Sequence, residues 1–341
     1  MYVKSRFPLF QAVLWSWPIL MWSGLWATAI TALHFFFGLE WLSLPGLPIS
    51  ILGTAVSFYL GFKGNAAYQR LWEARKIWGG IVNSSRTWGL YVTTFATDQR
   101  RESEDGDRLA RVHRELIYRH IAWLGALRTQ LRRHKSWEHT ADWNNRYRKV
   151  IGTHDMSDER LRGRVEPYLD AKEVDRLMTR KNRATALVHH QGERLKELMQ
   201  DRTIEDFRHM EMANLLQEFY TLQGKAERIK NFPLPRQYAT ANHWFVNTFI
   251  ILLPFALVSA FHVDGLPEAY VWLAVPATMI MSWVFRFWDM VVDYTENPFE
   301  GLINDIPIDA MARTIEIDLR DMLGETDLPA SIAPSELGVL M

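Results

Sequence analysis

The sequence predicts an all-α integral membrane protein with four transmembrane helical segments and a large helical cytosolic domain. Three observations lead to this prediction: four uncharged runs, an unequal distribution of basic residues between loops, and helical spacing of apolar residues in the charged middle of the chain. Lysine plus arginine and aspartate plus glutamate each total 39, so net charge does not favour nucleic acid as a partner. The chain has no cysteine, which excludes disulfides, thiolate catalysis and cysteine metal ligands.

The four uncharged runs predict the membrane-spanning segments. They cover residues 7–39, 41–62, 237–263 and 269–285, and none contains Asp, Glu, Lys or Arg. A helix needs about 20 mainly apolar residues to cross the hydrocarbon core. One charge at the centre of such a helix costs about 2.5–3.5 kcal/mol on insertion scales. Buried helices of a soluble protein are the alternative, and four such runs in one chain favour the membrane and contact with its lipid.

The charges of the connecting loops predict the orientation of the segments. The connector between the first two runs contains Glu40, and the connector between the last two contains Asp264 and Glu268; neither contains a basic residue. The basic residues near the runs lie on the other sides, at Lys4, Arg6, Lys63, Arg70, Arg75, Lys76, Arg228, Lys230, Arg236 and Arg286. By the positive-inside rule both termini and the middle domain are then cytoplasmic.

The predicted organisation has five parts. A stripe of apolar residues at helical spacing supports helices in the charged middle domain, at Leu109, Val112, Leu116, Ile117, His120, Ile121, Leu124 and Leu127. The parts are a first transmembrane hairpin (1–97), a helical cytosolic domain (98–236), a second transmembrane hairpin (237–290), a cytosolic motif region with a helix (291–324) and a flexible or strap-like tail (325–341).

A column of three residues in the second run suggests a pore. Residues 49–62 form about 21 Å of helix, which is short against a hydrocarbon core of about 30 Å and suits the interior of an assembly. Thr54, Phe58 and Phe62 then share one helix face at i, i+4 and i+8. Around a symmetry axis they would form successive rings, and hydrophobic constrictions of this kind gate ions by dewetting. Ordinary helix packing is the alternative. The same helix is expected to continue to about residue 78.

Two blocks of sequence resemble the bestrophin family, and its bacterial branch in particular. Residues 57–75 contain SFYLGF, NAAY and RLWEAR. Residues 289–319 contain DMVVD, ENPF, NDIP and RTIEIDL. The resemblance extends from the first apolar run to about Leu323. It implies a homopentameric, mostly helical ion channel with one central pore, in the inner membrane of a bacterium.

The resemblance also implies where the pore is narrow. Family members have a neck of three stacked hydrophobic residues, whose positions match Thr54, Phe58 and Phe62 in this chain. Thr54 departs from the family, in which a branched aliphatic residue is usual. A lower aperture near the cytosolic exit is also expected, and Leu187 is the candidate for it.

The second block contains the motif Asn297, Pro298 and Phe299. Eukaryotic members follow this motif with a run of acidic residues that helps to clasp Ca²⁺, a cation that takes six to eight oxygen ligands. Here only Glu300 and Asp305 are acidic within residues 300–305. The calcium site is therefore not carried over, and no metal or cofactor is expected. Asn304 and Asp305 are predicted to be helix caps or structural hydrogen-bond partners.

The predicted function is conduction of monovalent ions, with a preference for cations such as sodium as in bacterial members. An anion (chloride) channel, as in eukaryotic members, is the alternative. An enzyme is not expected, because the histidines lack the spacing of a metal site or a catalytic motif; they include His113, His189, His190 and His209. A membrane scaffold that binds a soluble partner through the charged domain is the alternative from another class.

Overall fold

A computed structural model of the chain describes residues 1–99, 105–154, 156–262, 265 and 267–341. Within these residues helices are the only regular secondary structure apart from one isolated β-bridge between Tyr2 and Val339, so the all-α prediction is confirmed. Asp264, which contributed to the predicted orientation, lies outside the described residues. The α-helices are α1 (Leu9–Phe37), α2 (Gly46–Phe95), α3 (Gly106–Arg132), α4 (Asp142–Val150), α5 (Asp158–Val165), α6 (Ala171–Met178), α7 (Arg183–Gln200), α8 (Asp206–Asn231), α9 (Arg236–Phe261), α10 (Ala274–Asp293) and α11 (Ile308–Met322).

The chain forms two compact units. The apolar-helix unit comprises Lys4–Gln69 and Pro233–Glu296, and the charged-helix unit comprises Met1–Val3, Arg70–Phe232 and Asn297–Met341. The predicted partition ended the first part at residue 97, whereas residues 70–97 belong to the charged-helix unit. The reason is packing, because Trp78, Ile81, Trp88 and Val92 are buried in the core of that unit.

Four stretches of the described chain are long and apolar enough to cross a membrane. They are Leu9–Phe37, Glu40–Phe95, Arg236–Phe261 and Glu268–Asp293, which agrees with the four predicted spans. In the apolar-helix unit α1 packs against α9 and α10. Helix α1 ends at Gly38, whose left-handed backbone (φ 61°) lets its N–H donate to the carbonyl of His34. The chain is therefore a membrane protein.

Helix α2 is a single helix of 50 residues that runs from apolar into charged sequence without a break. At 1.5 Å per residue it is about 75 Å long. It passes the predicted end near residue 78 and continues through Gly79 and Gly80. A Cβ atom on Gly80 would lie 2.9 Å from Cδ2 of Leu222, so this glycine allows close packing against α8 rather than ending the helix.

The charged-helix unit is built around α3. Its predicted apolar stripe is buried from Val112 to Leu127, and α3 packs against α5, α7, α8 and α11. Trp88 of α2 donates from Nε1 to the carbonyl of Leu116 at 3.3 Å. Trp123 donates from Nε1 to Oε1 of Gln223 at 3.0 Å. The polar atoms of these large aromatic side chains are thus satisfied inside the core.

The C-terminal tail differs from a flexible extension. Val339 and Met341 are buried, and the N–H of Val3 donates to the carbonyl of Gly338 at 2.9 Å. The N–H of Leu340 donates to the carbonyl of Met1 at 2.9 Å. Backbone pairing with the first residues of the chain, together with burial of apolar side chains, fixes the last residues of the tail on the charged-helix unit.

Candidate functional site

The three predicted neck residues lie on one exposed face of α2. Phe58 is 65% exposed and Phe62 is 63% exposed within the single chain, and Thr54 is also exposed. Exposed side chains continue this face at i±3 and i±4, at Leu47, Ile51, Asn65 and Gln69. The face is apolar from Leu47 to Phe62 and polar at Asn65 and Gln69.

The opposite face of α2 holds the helix in the apolar-helix unit. Ile49, Val56 and Leu60 are buried against α9, in a cluster that includes Phe249. Gly53 makes this contact close, because a Cβ atom there would lie 2.8 Å from Cε2 of Phe249. The packing of one face therefore determines that the other face, with the two phenylalanines, points away from the chain.

The hydroxyl of Thr54 is tied to its own helix. It donates to the carbonyl of Ser50 at 3.0 Å. Ser50 and Ser57 make the same type of bond one turn back, at 2.9 and 2.8 Å. Because the hydroxyl of Thr54 donates to its own helix backbone, it offers no free hydrogen-bond donor, and in this respect Thr54 resembles a branched aliphatic residue.

A buried group of charges follows the aromatic column. The side chain of Lys63, next to Phe62 in sequence, is 1% exposed, and its ammonium lies 3.1 Å from Oδ1 of Asp289. It also pairs with Asp293. Asp289 further accepts from Arg286 at 2.9 Å and from Asn242 at 3.2 Å. Ionisable side chains within membrane helices pair with one another, and this group satisfies that rule.

Sequence reasoning identified part of this group. Asp289 lies three residues after Arg286, a spacing that allows an ion pair on one helix, and the bond between the two is present. Lys63 was not singled out. The available signal was a lysine placed seven residues after Val56 and three after Leu60, on the buried face of α2. Oxygen or nitrogen atoms of His243, Asp289 and Asp293 also lie within 4.8 Å of one another, as in a metal site. The Lys63 ammonium already supplies a cation to both carboxylates.

The motif loop of residues 297–305 is held by Asp305. Its carboxylate accepts from the backbone N–H groups of Phe299 at 2.8 Å, Gly301 at 2.6 Å and Ile306 at 2.7 Å, and it pairs with the buried Arg132. Phe299 and Gly301 both have left-handed backbones, with φ of 70° and 81°. Asp305 is thus a structural hydrogen-bond partner.

The other members of the motif are also inside the charged-helix unit. Asn297, Pro298 and Phe299 are buried, and Asn304 is half-buried. Glu300 is 2% exposed and accepts from Nη2 of Arg148 at 2.8 Å and from the N–H of His139 at 2.5 Å. Both acidic residues of the loop are therefore neutralised by arginines, which the sequence could not indicate because those arginines lie more than 150 positions away.

Leu187 does not have the position expected of an aperture residue. Its side chain is 1% exposed and belongs to the core of the charged-helix unit. A side chain enclosed by its own chain does not line an opening shared between copies. The prediction for Leu187 is corrected accordingly: the residue lies on α7 and packs in the core of the charged-helix unit.

Comparisons with known proteins agree on one family. The family of bacterial and fungal bestrophin proteins matches residues 11–321. A Salmonella typhi protein named voltage-dependent anion channel-forming protein YneE is 30% identical over 303 residues, covering 87% of this chain and 85% of that protein. The Escherichia coli K12 protein of the same name is 28% identical, covering 94% and 95%. A Ralstonia nicotianae protein, named voltage-dependent anion channel-forming protein RSc3414, is 28% identical, covering 84% and 80%.

A solved structure has the same fold. The crystal structure of a bacterial bestrophin homologue from Klebsiella pneumoniae gives a TM-score of 0.72 at 24% identity, covering 90% of this chain and 98% of the other. The described residues define an all-α fold with four helices that are long and apolar enough to span a membrane. The chain belongs to the bacterial and fungal bestrophin family.

Proposed function

We propose that this protein is an ion channel for monovalent ions, with a central pore whose neck is formed by Thr54, Phe58 and Phe62. The observation that carries the proposal is the column of exposed aromatic side chains on α2, about two-thirds exposed in the single chain. Such side chains need a cover of lipid or of other copies of the chain. The names of the related Salmonella and Escherichia proteins describe channel formation, which supports a cover by other copies of the chain.

The neck acts by excluding water from a narrow apolar passage. Two successive rings of phenylalanine offer no hydrogen-bond partner to the hydration shell of an ion, so the passage closes by dewetting when it is narrow. The satisfied hydroxyl of Thr54 adds no free donor to this passage. The proposed gate therefore depends on the width and the polarity of the passage.

The assembly that suits this proposal is a homopentamer in the inner membrane of a bacterium, with both chain termini in the cytoplasm. The resemblance to the bestrophin family supports the pentamer. The excess of lysine and arginine on one side of the four spans supports this orientation. The charged-helix unit then lies on the cytoplasmic side.

Two selectivities compete for the channel. The sequence favoured monovalent cations through its likeness to bacterial members. The names of the relatives favour anions, since each describes an anion channel. Ring orientation at Phe58 and Phe62 is compatible with either sign, because aromatic edges carry positive and aromatic faces negative partial charge.

The test is the reversal potential of the purified protein in planar bilayers under a NaCl gradient. Reversal near the sodium potential supports the cation channel, and reversal near the chloride potential supports the anion channel. Bilayers that receive the same detergent without protein are the control. Repeated absence of current from well-folded protein would overturn the channel proposal.

A further inference from the structure

The charged-helix unit contains a cavity of about 670 Å³ whose lining includes none of the proposed neck residues. Its walls come from α3, α5, α11 and the C-terminal tail. Small-molecule sites in proteins measure about 300–1,000 Å³, so the cavity has the size of a ligand site. It is closed on one side by Val339 and Met341 of the tail, both of which are buried.

Arginines from three helices converge on this cavity. Two of them are compensated: Arg128 lies 3.3 Å from Oδ1 of Asp309, and Arg313 lies 3.2 Å from Oε2 of Glu316. Arg164, on α5, is in a different situation. Its Nη1 donates to the hydroxyl of Thr129 at 2.7 Å and contacts the sulfur of Met156 at 3.7 Å. These partners are neutral.

The charge of Arg164 therefore has no carboxylate within salt-bridge distance among the described residues. Burial and then the nearby Arg128 lower the pKa of Arg164 to about 10 against the raising influence of Asp309, so its guanidinium stays charged at neutral pH. The nearby Asp309 already pairs with Arg128 and Arg132, so the partly buried charge of Arg164 stays costly unless a further anion joins it. A guanidinium binds carboxylate or phosphate through two parallel hydrogen bonds.

We propose that this cavity binds a small organic anion, a carboxylate or phosphate ester with an apolar body, through Arg164. The apolar part of such a ligand would contact Ile121, Leu124 and Ile332, which also line the cavity. The ligand is a soluble metabolite or the phosphate of a lipid headgroup; the chemistry at Arg164 is the same for both. The proposal does not depend on ion conduction.

The test is isothermal titration of the full-length protein in detergent with phenyl phosphate, which combines the anion with a small apolar body. Phenol and inorganic phosphate, each with one of the two features, are the comparison probes. We expect phenyl phosphate to bind at least tenfold more tightly than either. Failure of the wild-type protein to bind phenyl phosphate would overturn the proposal.

Variants locate the binding. Arg164→Gln should lower the affinity for phenyl phosphate at least tenfold, and Arg164→Lys, which keeps the charge without the planar fork, should give an intermediate affinity. Arg162→Gln is the matched control: Arg162 is on the same helix, pairs with Asp175 at 2.8 Å and does not line the cavity. Unchanged binding by both Arg164 variants would overturn the assignment.

In a competition experiment, displacement of phenyl phosphate by dihexanoyl phosphatidic acid identifies a lipid headgroup as the source of the anion. Failure to displace it identifies a soluble anion. Either result supports an anion site.

Discussion

At the scale of single residues, Asp305 holds the motif loop of residues 297–305 in place. One carboxylate receives three backbone N–H groups and a buried arginine, and it holds two residues of the loop in left-handed conformations. A non-glycine residue such as Phe299 adopts positive φ only when the surrounding structure imposes it. Hydrogen bonds to the side chain of Asp305 therefore hold the loop in this conformation.

Replacing Asp305 tests this account. Asp305→Ala would remove the carboxylate that directly pairs with the buried Arg132, leaving it Asp309 at 3.6 Å and the carbonyl of Ile306 at 3.1 Å, and breaking a buried pair costs about 3–5 kcal/mol. We expect a large loss in the free energy of unfolding, measured by denaturant unfolding in detergent. Asp318→Ala is the control, because its partner Arg86 is 49% exposed and surface pairs contribute about 0–1 kcal/mol. Equal effects of the two substitutions would contradict the role given to Asp305.

His120 is a second residue whose state depends on its surroundings. Its Nε2 lies 2.9 Å from Oγ of Ser85, and its ring packs against Trp123 and Phe219 with centroids 5.0 and 4.6 Å away. Burial lowers the pKa of His120 to about 3. The imidazole is therefore neutral in the folded protein at every physiological pH.

The buried histidine makes stability fall as the medium is acidified. Between pH 6.5 and about 3 the unfolded chain binds a proton at His120 that the folded chain does not, so the free energy of unfolding decreases by up to about 1.4 kcal/mol per pH unit. His120→Gln should reduce this slope when unfolding is measured at pH 7 and pH 5. His189→Gln, at an exposed position of α7, should keep the wild-type slope. A slope that stays the same in His120→Gln would contradict the assignment.

At the scale of elements, α2 has two faces with different tasks. The buried face, from Ile49 to Leu60, fixes the helix against α9. The exposed face presents Thr54, Phe58 and Phe62. Because successive residues of a helix turn by 100°, one sequence can carry both patterns without interruption. Packing on one side thereby positions the candidate neck on the other.

Gly53 is the residue at which this packing can be disturbed selectively. In Gly53→Ala the new Cβ would meet Phe249 at 2.8 Å, and overpacking of this kind costs about 1–3 kcal/mol. We expect a lower thermal unfolding midpoint in detergent. Gly79→Ala on the same helix meets no atom within 4 Å and should leave the midpoint unchanged or raise it. A Gly53→Ala protein as stable as the wild type would show that the α2–α9 contact yields easily.

The exposed face is tested by removing its aromatic rings. The double substitution of Phe58 and Phe62 by Ala widens the proposed neck and makes it less effective at dewetting, so single-channel conductance or open probability should rise. Phe10→Ala, an equally exposed phenylalanine (73%) on α1, is the control and should leave the currents unchanged. Conductance that survives the double substitution untouched would exclude the neck. A scaffold or an enzyme would lose mainly stability.

At the scale of the whole molecule, the proposed assembly would cover the exposed apolar surface of α2 with other copies of the chain. An isolated helix face with two phenylalanines and a polar continuation at Asn65 and Gln69 suits an aqueous axis better than lipid, because amide side chains are costly in hydrocarbon. Symmetric assembly would bring five such faces around one axis. In this proposal the pore forms only when the chains assemble.

The assembly has a measurable mass. Native mass spectrometry of the detergent-solubilised protein should give about five times the 39.9 kDa of one chain. Leu47→Lys and Ile51→Lys, which place charges on the exposed face of α2, should reduce the pentamer fraction through like-charge repulsion around the axis. Glu193→Lys, at an exposed position of α7, changes the net charge by +2, the same as the two substitutions combined, and is the control. A dominant monomer or dimer for the wild-type protein would contradict the proposed assembly.

The amino-acid sequence by itself determined the fold class, the four spans and the column on α2. Each of these depends on local patterns: run length against bilayer thickness, and spacing of side chains on one helix. It also indicated that Asp305 is structural, because too few acidic residues follow Phe299 for a calcium clasp. These conclusions need no knowledge of what the helices pack against.

Tertiary structure alone decided the partners. Lys63 meets Asp289 across 226 positions, Arg132 meets Asp305 across 173, and Arg164 faces a cavity closed by the last residues of the tail. The folded chain also shows that Leu187 is buried in the core of the charged-helix unit and that α2 continues past Gly79 and Gly80. The periodicity of a helix states which of its faces is apolar, but not which element covers that face. Burial, charge compensation and close backbone contact depend on the covering element, and only the folded chain supplies it.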